Sequence, residues 1–397
     1  MNVSLKIFNR GCLLFNLLLY FDSLLVFTIL FRPYKIFHLS SRTLQYPLQF
    51  PLMFYDFVAN KVTPVDMAAA GFDANKEFKP HGISLLKQHQ GGGDDRMGLL
   101  AVVNHAVIDG ESRVELFSVH DGDHGGRGRP RDHDSNGGGE AVPLIARDTL
   151  KGLRVRHLVS VGSFGAGTLN DVVLIDADTL YVTEWYKHSL PQDGSTAPLA
   201  YKIMQNVFHT LGLPIYTLHK CVRGSGQWMC APALTLPSMN GISTTAKRDI
   251  LAVVQISTKS VHFYRVGGEL EHLTSLALPI IVDNLSLDST NNNPDLDIWY
   301  GAGILRGLDF LVHTSKITND TSVDSIPSGE IRVTYNRKTS HASVELLRTA
   351  RDAGCWCNSI KIPTSADYSY DEHDMDDNTK PTTIIGSFCR SGVYICH

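Results

Sequence analysis

Apolar residues beyond position 50 arrive in short bursts rich in Val, Ile, Leu, Phe and Tyr, each closed off by Gly, Asp, Asn or Pro. Met97 to Asn104, Arg113 to Val119, Val172 to Ile175, Thr179 to Thr183, Asp249 to Ile256, Ser260 to Val266, Asp297 to Gly301 and Thr383 to Ser387 are the clearest. Runs of this length and composition between turn formers predict β-strands. Some of them pair. Leu99 to Val103 precedes Val114 to Ser118 across Asp109-Gly110, and Ile250 to Gln255 precedes Val261 to Arg265. Strands joined by tight turns form antiparallel hairpins. Hairpins repeated over roughly 300 residues with no long helices between them predict a sandwich, a barrel or a propeller. The segment Thr349 to Thr364 fits no element.

Residues 11 to 31 break this pattern. GCLLFNLLLYFDSLLVFTILF is almost unbroken in its apolar character, with Lys6 and Arg10 before it and Arg32 and Lys35 after. About 20 such residues span a bilayer as a helix. The basic start also suits a signal sequence or signal-anchor. Asn16 and Asp22 oppose that reading, and the competing one is a pair of buried strands with Asp22 at the turn between them. The chain therefore divides into a hydrophobic segment, 1–45, and a β-rich remainder, 46–397. The helical reading implies export or membrane anchoring, with membrane or lipid-particle association through residues 11–31.

Composition narrows the class. Of 397 residues, 43% are hydrophobic and 19% charged, an ordinary globular balance. A formal net charge of -4 offers no footprint for nucleic acid. The seven cysteines are too few for a disulfide scaffold and their odd number leaves a free thiol. Cys355-Trp356-Cys357 has neither zinc-knuckle nor thioredoxin spacing. Of three glycosylation sequons, only that at Asn319 stands in a polar stretch. His120 to Glu140 and Asp367 to Lys380 read as solvated loops, the second lacking the glycine and closing glutamate of an EF-hand.

The candidate chemistry lies in five polar islands set into apolar runs: Pro80-His81-Gly82-Ile83, Val103-Asn104-His105, Leu169-Asn170-Asp171-Val172, Asn240-Gly241-Ile242 and Val282-Asp283-Asn284-Leu285. Amide and carboxylate groups at the ends of apolar strands are costly to bury unless something binds them. An oxygen-only set suits a hard cation, calcium before a transition metal. Histidine supplies proton transfer near neutral pH. A propeller is preferred over other β architectures because the inner strand of each blade delivers its end to one central channel, so islands distant in sequence can meet.

In this order the islands resemble the serum paraoxonase/arylesterase family. Pro80-His81-Gly82-Ile83-Ser84, Val102-Val103-Asn104-His105 and Val114-Glu115-Leu116-Phe117 are similar to one block of that family. Leu169-Asn170-Asp171-Val172-Val173, Asn240-Gly241-Ile242-Ser243 with Val261-His262-Phe263-Tyr264, Val282-Asp283-Asn284-Leu285-Ser286 with Asp297-Ile298-Trp299, and Ile384-Ile385-Gly386-Ser387-Phe388 continue it. The resemblance implies an all-β, six-bladed β-propeller from about residue 50 onward, preceded here by an N-terminal hydrophobic helix, and a calcium-dependent hydrolase of small esters and lactones. It implies two calcium ions: Asn170, Asn240, Asp283 and Asn284 around a catalytic one, Asp171 and the Ile83 carbonyl on a structural one. His81 and His105 become a dyad, His81 taking a proton from water and His105 orienting it or relaying that proton. A clasp of Cys12 with Cys396 follows only from the same resemblance.

Two departures stand against it. The family takes an adjacent Glu and Asp from its first blade to the ions, and no Glu-Asp pair occurs here before residue 81. Ala302-Gly303 stands where many members have Cys-His. If residues 11–31 leave as a membrane helix, the first blade is also short of strands. The other reading is thus a catalytically impaired propeller acting as a binding protein. No Gly-x-Ser-x-Gly elbow supports a serine hydrolase.

Overall fold

The computed structural model describes residues 13–21, 24–31, 52–56, 61–73, 76, 78–87, 96–108, 111–121, 153–162, 164, 167–186, 212–306, 326–350, 356–362, 382–387 and 393–396. Among the described residues there is no α-helix. The strands pair antiparallel into six sheets. The first contains β1 (Leu13–Phe21), β2 (Leu24–Phe31), β3 (Leu52–Asp56) and β4 (Lys61–Pro64). The second contains β5 (Pro80–Lys87), β6 (Arg96–Ile108), β7 (Glu111–Asp121) and β8 (Leu153–Val161). The third contains β9 (Thr168–Leu174), β10 (Thr179–Tyr186), β11 (Tyr216–Gly224) and β12 (Gln227–Leu236). The fourth contains β13 (Met239–Thr244), β14 (Ile250–Gln255), β15 (Ser260–Arg265) and β16 (Glu271–Ala277). β17 (Ile281–Leu287), β18 (Leu296–Ile304), β19 (Ser328–Asn336) and β20 (His341–Ala350) make the fifth. β21 (Trp356–Ile362), β22 (Thr382–Ser387) and β23 (Val393–Cys396) make the last.

Every sheet is a meander in sequence order. The opening strands contact one another in the series β1, β5, β9, β13, β17 and β21, and β21 returns to β1. That is a β-propeller with the first strand of each sheet innermost. The four sheets from β5 to β20 are blades described through most of their side chains, four where six were expected. The outer strand of each is the exposed one. β9 is buried along its whole length, whereas the outer β12 alternates between exposed and half-buried positions.

Apolar bursts follow from this stacking. A middle strand is covered on both faces, so the period-2 alternation of side chains sends odd and even positions into different layers. On β14, Ile250, Ala252 and Val254 pack toward the fifth sheet with Phe263, Trp299, Val333 and Tyr335. Leu251 and Val253 pack toward the third with Tyr181, Tyr216 and Leu218. Both expected hairpins form: Ile108 is opposite Glu111, and Gln255 is opposite Ser260. The turn from β11 to β12 is made by Ser225 and Gly226, both at positive φ (50° and 82°), the left-handed pair a two-residue hairpin needs.

Of the apolar run 11–31, the described residues are the strands β1 and β2. β1 and β2 pair along their length, with Asn16 in register with Thr28, and β2 pairs onward with β3. β1 and β2 are the inner half of the first sheet. Among the described residues no helix is long and apolar enough to cross a membrane. The unplaced stretch 349–364 contains β21, whose Trp356, Asn358, Ile360 and Ile362 fall on alternate positions. Cys12, Asp22, Cys355, Asn319 and both polar inserts, apart from His120 and Asp121, lie outside the described residues, as does the side chain of Cys396.

Candidate functional site

Ladder pairing breaks at the same level in four inner strands. The register shifts between Pro80 and Ile83, between Leu169 and Val172 opposite Thr183, between Met239 and Ile242, and between Val282 and Leu285. Each gap holds two island residues: His81-Gly82, Asn170-Asp171, Asn240-Gly241 and Asp283-Asn284. A bulge re-aims side chains out of the alternation. Here it turns polar groups that would enter the apolar layers between blades toward one another.

The result is a chain of contacts across three blades. Asn170 Nδ2 donates to Asn240 Oδ1, and Asn240 Nδ2 donates to Asp283 Oδ1 at 2.7 Å. Asn170, Asn240 and Asn284 are all at most 5% exposed. Glycines permit the approach. A Cβ on Gly82 would fall 2.4 Å from Asp171 Cα and 2.5 Å from Asn170 O. One on Gly241 would fall 2.6 Å from both Asp283 O and Asn284 Oδ1. Asp171 is held otherwise: its carboxylate accepts the amides of Val172 (2.9 Å), Ile242 (3.1 Å) and Ile83. Thr183 locks this corner, accepting from the Asp171 amide at 3.1 Å and donating to Asn240 O at 2.6 Å.

The electrostatics suit a cation. Burial pushes Asp171 up to about 7, against the amides of Ile242 and Val172, and the nearby Asp283 charge raises it further. Burial likewise pushes Asp283 up to about 6, opposed by the Asn240 amide. The buried Asp171 and the half-buried Asp283 share one neighbourhood with the amides of Asn170, Asn240 and Asn284 and the Thr183 hydroxyl, and Asn170 Oδ1 is buried with no hydrogen-bond partner among the described residues. Carboxylate and amide oxygens without thiolate or imidazole fit a hard divalent ion. Asn170, Asn240, Asp283 and Asn284 are the residues that could hold it.

His81 and His105 are brought together beside this chain. Their rings stack, with centroids 4.5 Å apart and planes 19° from parallel. His81 Nδ1 lies 2.8 Å from Asn170 O, and His105 Nε2 lies 2.6 Å from Leu169 O. A carbonyl only accepts, so His81 carries its proton on Nδ1 and His105 on Nε2. The lone pair of His81 is on Nε2. Burial, then the His105 charge, holds His81 well below the usual imidazole range. Burial also lowers His105, with Lys79 adding to the effect against the Leu169 carbonyl. Both rings are therefore neutral at pH 7. The two rings lie face to face, each with its protonated nitrogen on its own carbonyl.

Sequence reasoning missed the supports of this site. Glu115, 1% exposed on β7, accepts from Asn104 Nδ2 (3.2 Å), Ser160 Oγ (2.6 Å) and His157 Nε2 (2.9 Å). Asn104 Oδ1 in turn accepts the Lys79 amide at 2.8 Å, and the His105 amide reaches Lys79 O at 2.9 Å. The segments carrying the two histidines are thereby tied together. The signal was present: Glu115 is a lone carboxylate in an apolar burst. Thr183 and Trp185 also sit at the site, Trp185 with its ring 6.4 Å from that of His81. Their stretch reads as an ordinary strand. The first sheet adds no acid through its inner strand, since β1 contains neither Glu nor Asp.

No family model and no curated protein matches this chain. Solved structures are similar to it at low identity. A protein from Lactobacillus plantarum is 13% identical, with 89% of this chain and 79% of that one covered and a TM-score of 0.41. A gluconolactonase from Xanthomonas campestris is 12% identical, with 87% and 81% covered and a TM-score of 0.36. The Cps50 (Swd1) β-propeller domain of Myceliophthora thermophila is 8% identical, with 97% and 88% covered and a TM-score of 0.40. A lactonase and a propeller of another kind stand side by side among them, so the likeness assigns neither family nor function.

Proposed function

We propose that the chain is a calcium-dependent hydrolase of lactones and aryl esters, built on a six-bladed ring. One observation carries the reading: amide and carboxylate side chains of β9, β13 and β17 touch in series, and the carbonyl of the first of them, Asn170, orients a neutral imidazole. Asn170, Asn240, Asp283 and Asn284 would hold the ion, and Asp171 with the Ile83 carbonyl a second one. A bound divalent ion supplies Lewis-acid polarisation of a carbonyl and neutralises the developing oxyanion. His81, protonated on Nδ1, presents Nε2 to accept a proton from the attacking water. His105 packs on its face and, through the Leu169 carbonyl, keeps the pair in fixed orientation. Trp185 supplies an apolar wall beside His81 for the organic part of the substrate. The Cys221–Cys230 disulfide suits an oxidising compartment, and with it a secreted protein.

The test is direct. Purified protein hydrolyses an aliphatic lactone or an aryl ester, loses the activity to a chelator and regains it with calcium. His81→Gln lowers kcat by roughly a hundredfold to ten-thousandfold, the range for loss of a general base. Asn240→Ala abolishes calcium dependence along with activity. Hydrolysis indifferent to chelator rules out the reading. A second reading has its own support: β1 brings no carboxylate, and fewer anionic ligands weaken calcium binding. Calcium retained without hydrolysis of any ester or lactone makes the chain a ligand-binding propeller.

A further inference from the structure

Far from the inner strands, the outer half of the fourth sheet holds a second group of metal-ligating side chains. His262 on β15 and Ser275 on β16 are register partners, and His272 is opposite Tyr264 two positions on. Two imidazole nitrogens converge on one oxygen: His262 Nδ1 and His272 Nε2 each lie 2.8 Å from Ser275 Oγ. The ring centroids are 5.8 Å apart. A serine hydroxyl donates to one nitrogen and accepts from the N–H of the other, so Ser275 Oγ holds both rings on one focal point.

The other face of His262 is fixed as a metal ligand's usually is. Nε2 lies 2.9 Å from Ser260 Oγ, which lies 2.6 Å from Thr258 Oγ1. A ligating histidine characteristically engages its second nitrogen in such a bond, which sets tautomer and ring orientation. Burial, followed by the His272 charge, lowers His262 below the usual range, so the ring is neutral at pH 7. His272 and Ser275 are exposed, which leaves the focal point open to water. Arg265 and Glu271 nearby pair with each other at 2.6 Å. Among the described residues no third His, Cys, Asp or Glu joins these two histidines, so any further ligands to an ion there would have to come from water.

We infer that His262 and His272, with the Ser275 hydroxyl, form a surface site for a borderline divalent ion such as Cu2+ or Zn2+. It is chemically opposite to the oxygen-only chain of the inner strands. Imidazole favours Cu2+ and Zn2+, with Cu2+ the stronger by the ordinary divalent order, whereas calcium prefers oxygen. The site stands or falls independently of hydrolysis.

The experiment titrates the full-length chain, stripped with chelator and held in millimolar calcium, with Cu2+ followed by electron paramagnetic resonance and Zn2+ followed by calorimetry. With other histidines in the chain the comparison is by difference. His272→Gln, at an exposed position, keeps the wild-type urea midpoint yet binds one equivalent fewer, or that equivalent at least tenfold more weakly. His262→Asn does the same, and the Cu2+ spectrum loses its two-nitrogen pattern. Ser275→Ala keeps the equivalent on the two imidazoles but binds it several-fold more weakly, and unchanged affinity removes the hydroxyl from the site. Equal uptake by wild type and both histidine variants overturns the site, as does loss of the equivalent to competing calcium.

Discussion

A buried carboxylate stays ionised only when donors surround it, and Glu115 has three. The His157, Ser160 and Asn104 bonds, with the His157 charge, outweigh burial and hold its carboxyl below the usual range. A depressed acid contributes stability that is present above its unfolded value and lost as pH falls through its folded one. Removing the group does more than lower stability, because the buried Asn104 and the half-buried His157 lose the acceptor they share. Glu115→Ala should cost about 2–4 kcal/mol in urea unfolding, in line with breaking a buried charged network. Glu115→Gln keeps the shape and one acceptor and should cost less than half of that. If both variants unfold at the wild-type midpoint, Glu115 does not organise the Lys79 and Asn104 segments. An independent readout is the imidazole resonances of His81 and His105, which should shift in Glu115→Gln.

At the scale of elements, the decisive features are the paired interruptions of β5, β9, β13 and β17. A strand that kept its register there would bury His81, Asn170, Asn240 and Asp283 alternately in the apolar layers, unpaired. Gly82 and Gly241 allow each interruption to lie against the next blade, and their added Cβ atoms would meet backbone at 2.4–2.6 Å. Backbone cannot rotate away as a side chain can. Gly82→Ala and Gly241→Ala should each destabilise by roughly 1–3 kcal/mol, as overpacking does, whereas Gly268→Ala, with open space around it, should change little. Equal midpoints for all three would remove the close-approach account. Much of this level was legible in the sequence. Bursts doubly buried between sheets, such as Ile250 to Gln255, announced themselves as strands, and the islands stood out because polar pairs interrupted such bursts. The bulges did not, since they are a relation between two strands. Nor did the role of Thr183, whose hydroxyl matters only because it lies opposite the Asn170-Asp171 gap. The apolar run at 11–31 left two readings open for a simple reason: two buried strands have the same unbroken hydrophobicity as one membrane helix.

For the whole molecule, the site's groups pull the pH dependence in opposite directions. Asp171 and Asp283, raised to about 7 and about 6 from the ordinary 3.8, keep protons in the native state that the unfolded chain has released. Without an ion their contribution to stability therefore falls as pH rises from about 4 through 6 and 7. His81 and His105 are lowered, so the unfolded chain binds protons that the native one refuses. Their contribution rises as pH climbs toward the unfolded value of 6.5. A divalent ion seated among Asn170, Asn240 and Asp283 requires the carboxylates ionised, and its binding releases their protons. Calcium should thus cancel the falling term and leave the rising one. Urea midpoints measured at pH 5, 6, 7 and 8, with saturating calcium and with chelator, should diverge progressively up to about pH 7 and then run parallel. Each unit of carboxyl shift removed is worth about 1.4 kcal/mol. In Asp283→Asn the divergence should shrink toward the Asp171 share alone. A gap between the two curves that stays constant from pH 5 to 8 would mean that no ion is bound by these carboxylates, and calcium chemistry would have to be sought elsewhere in the ring or abandoned.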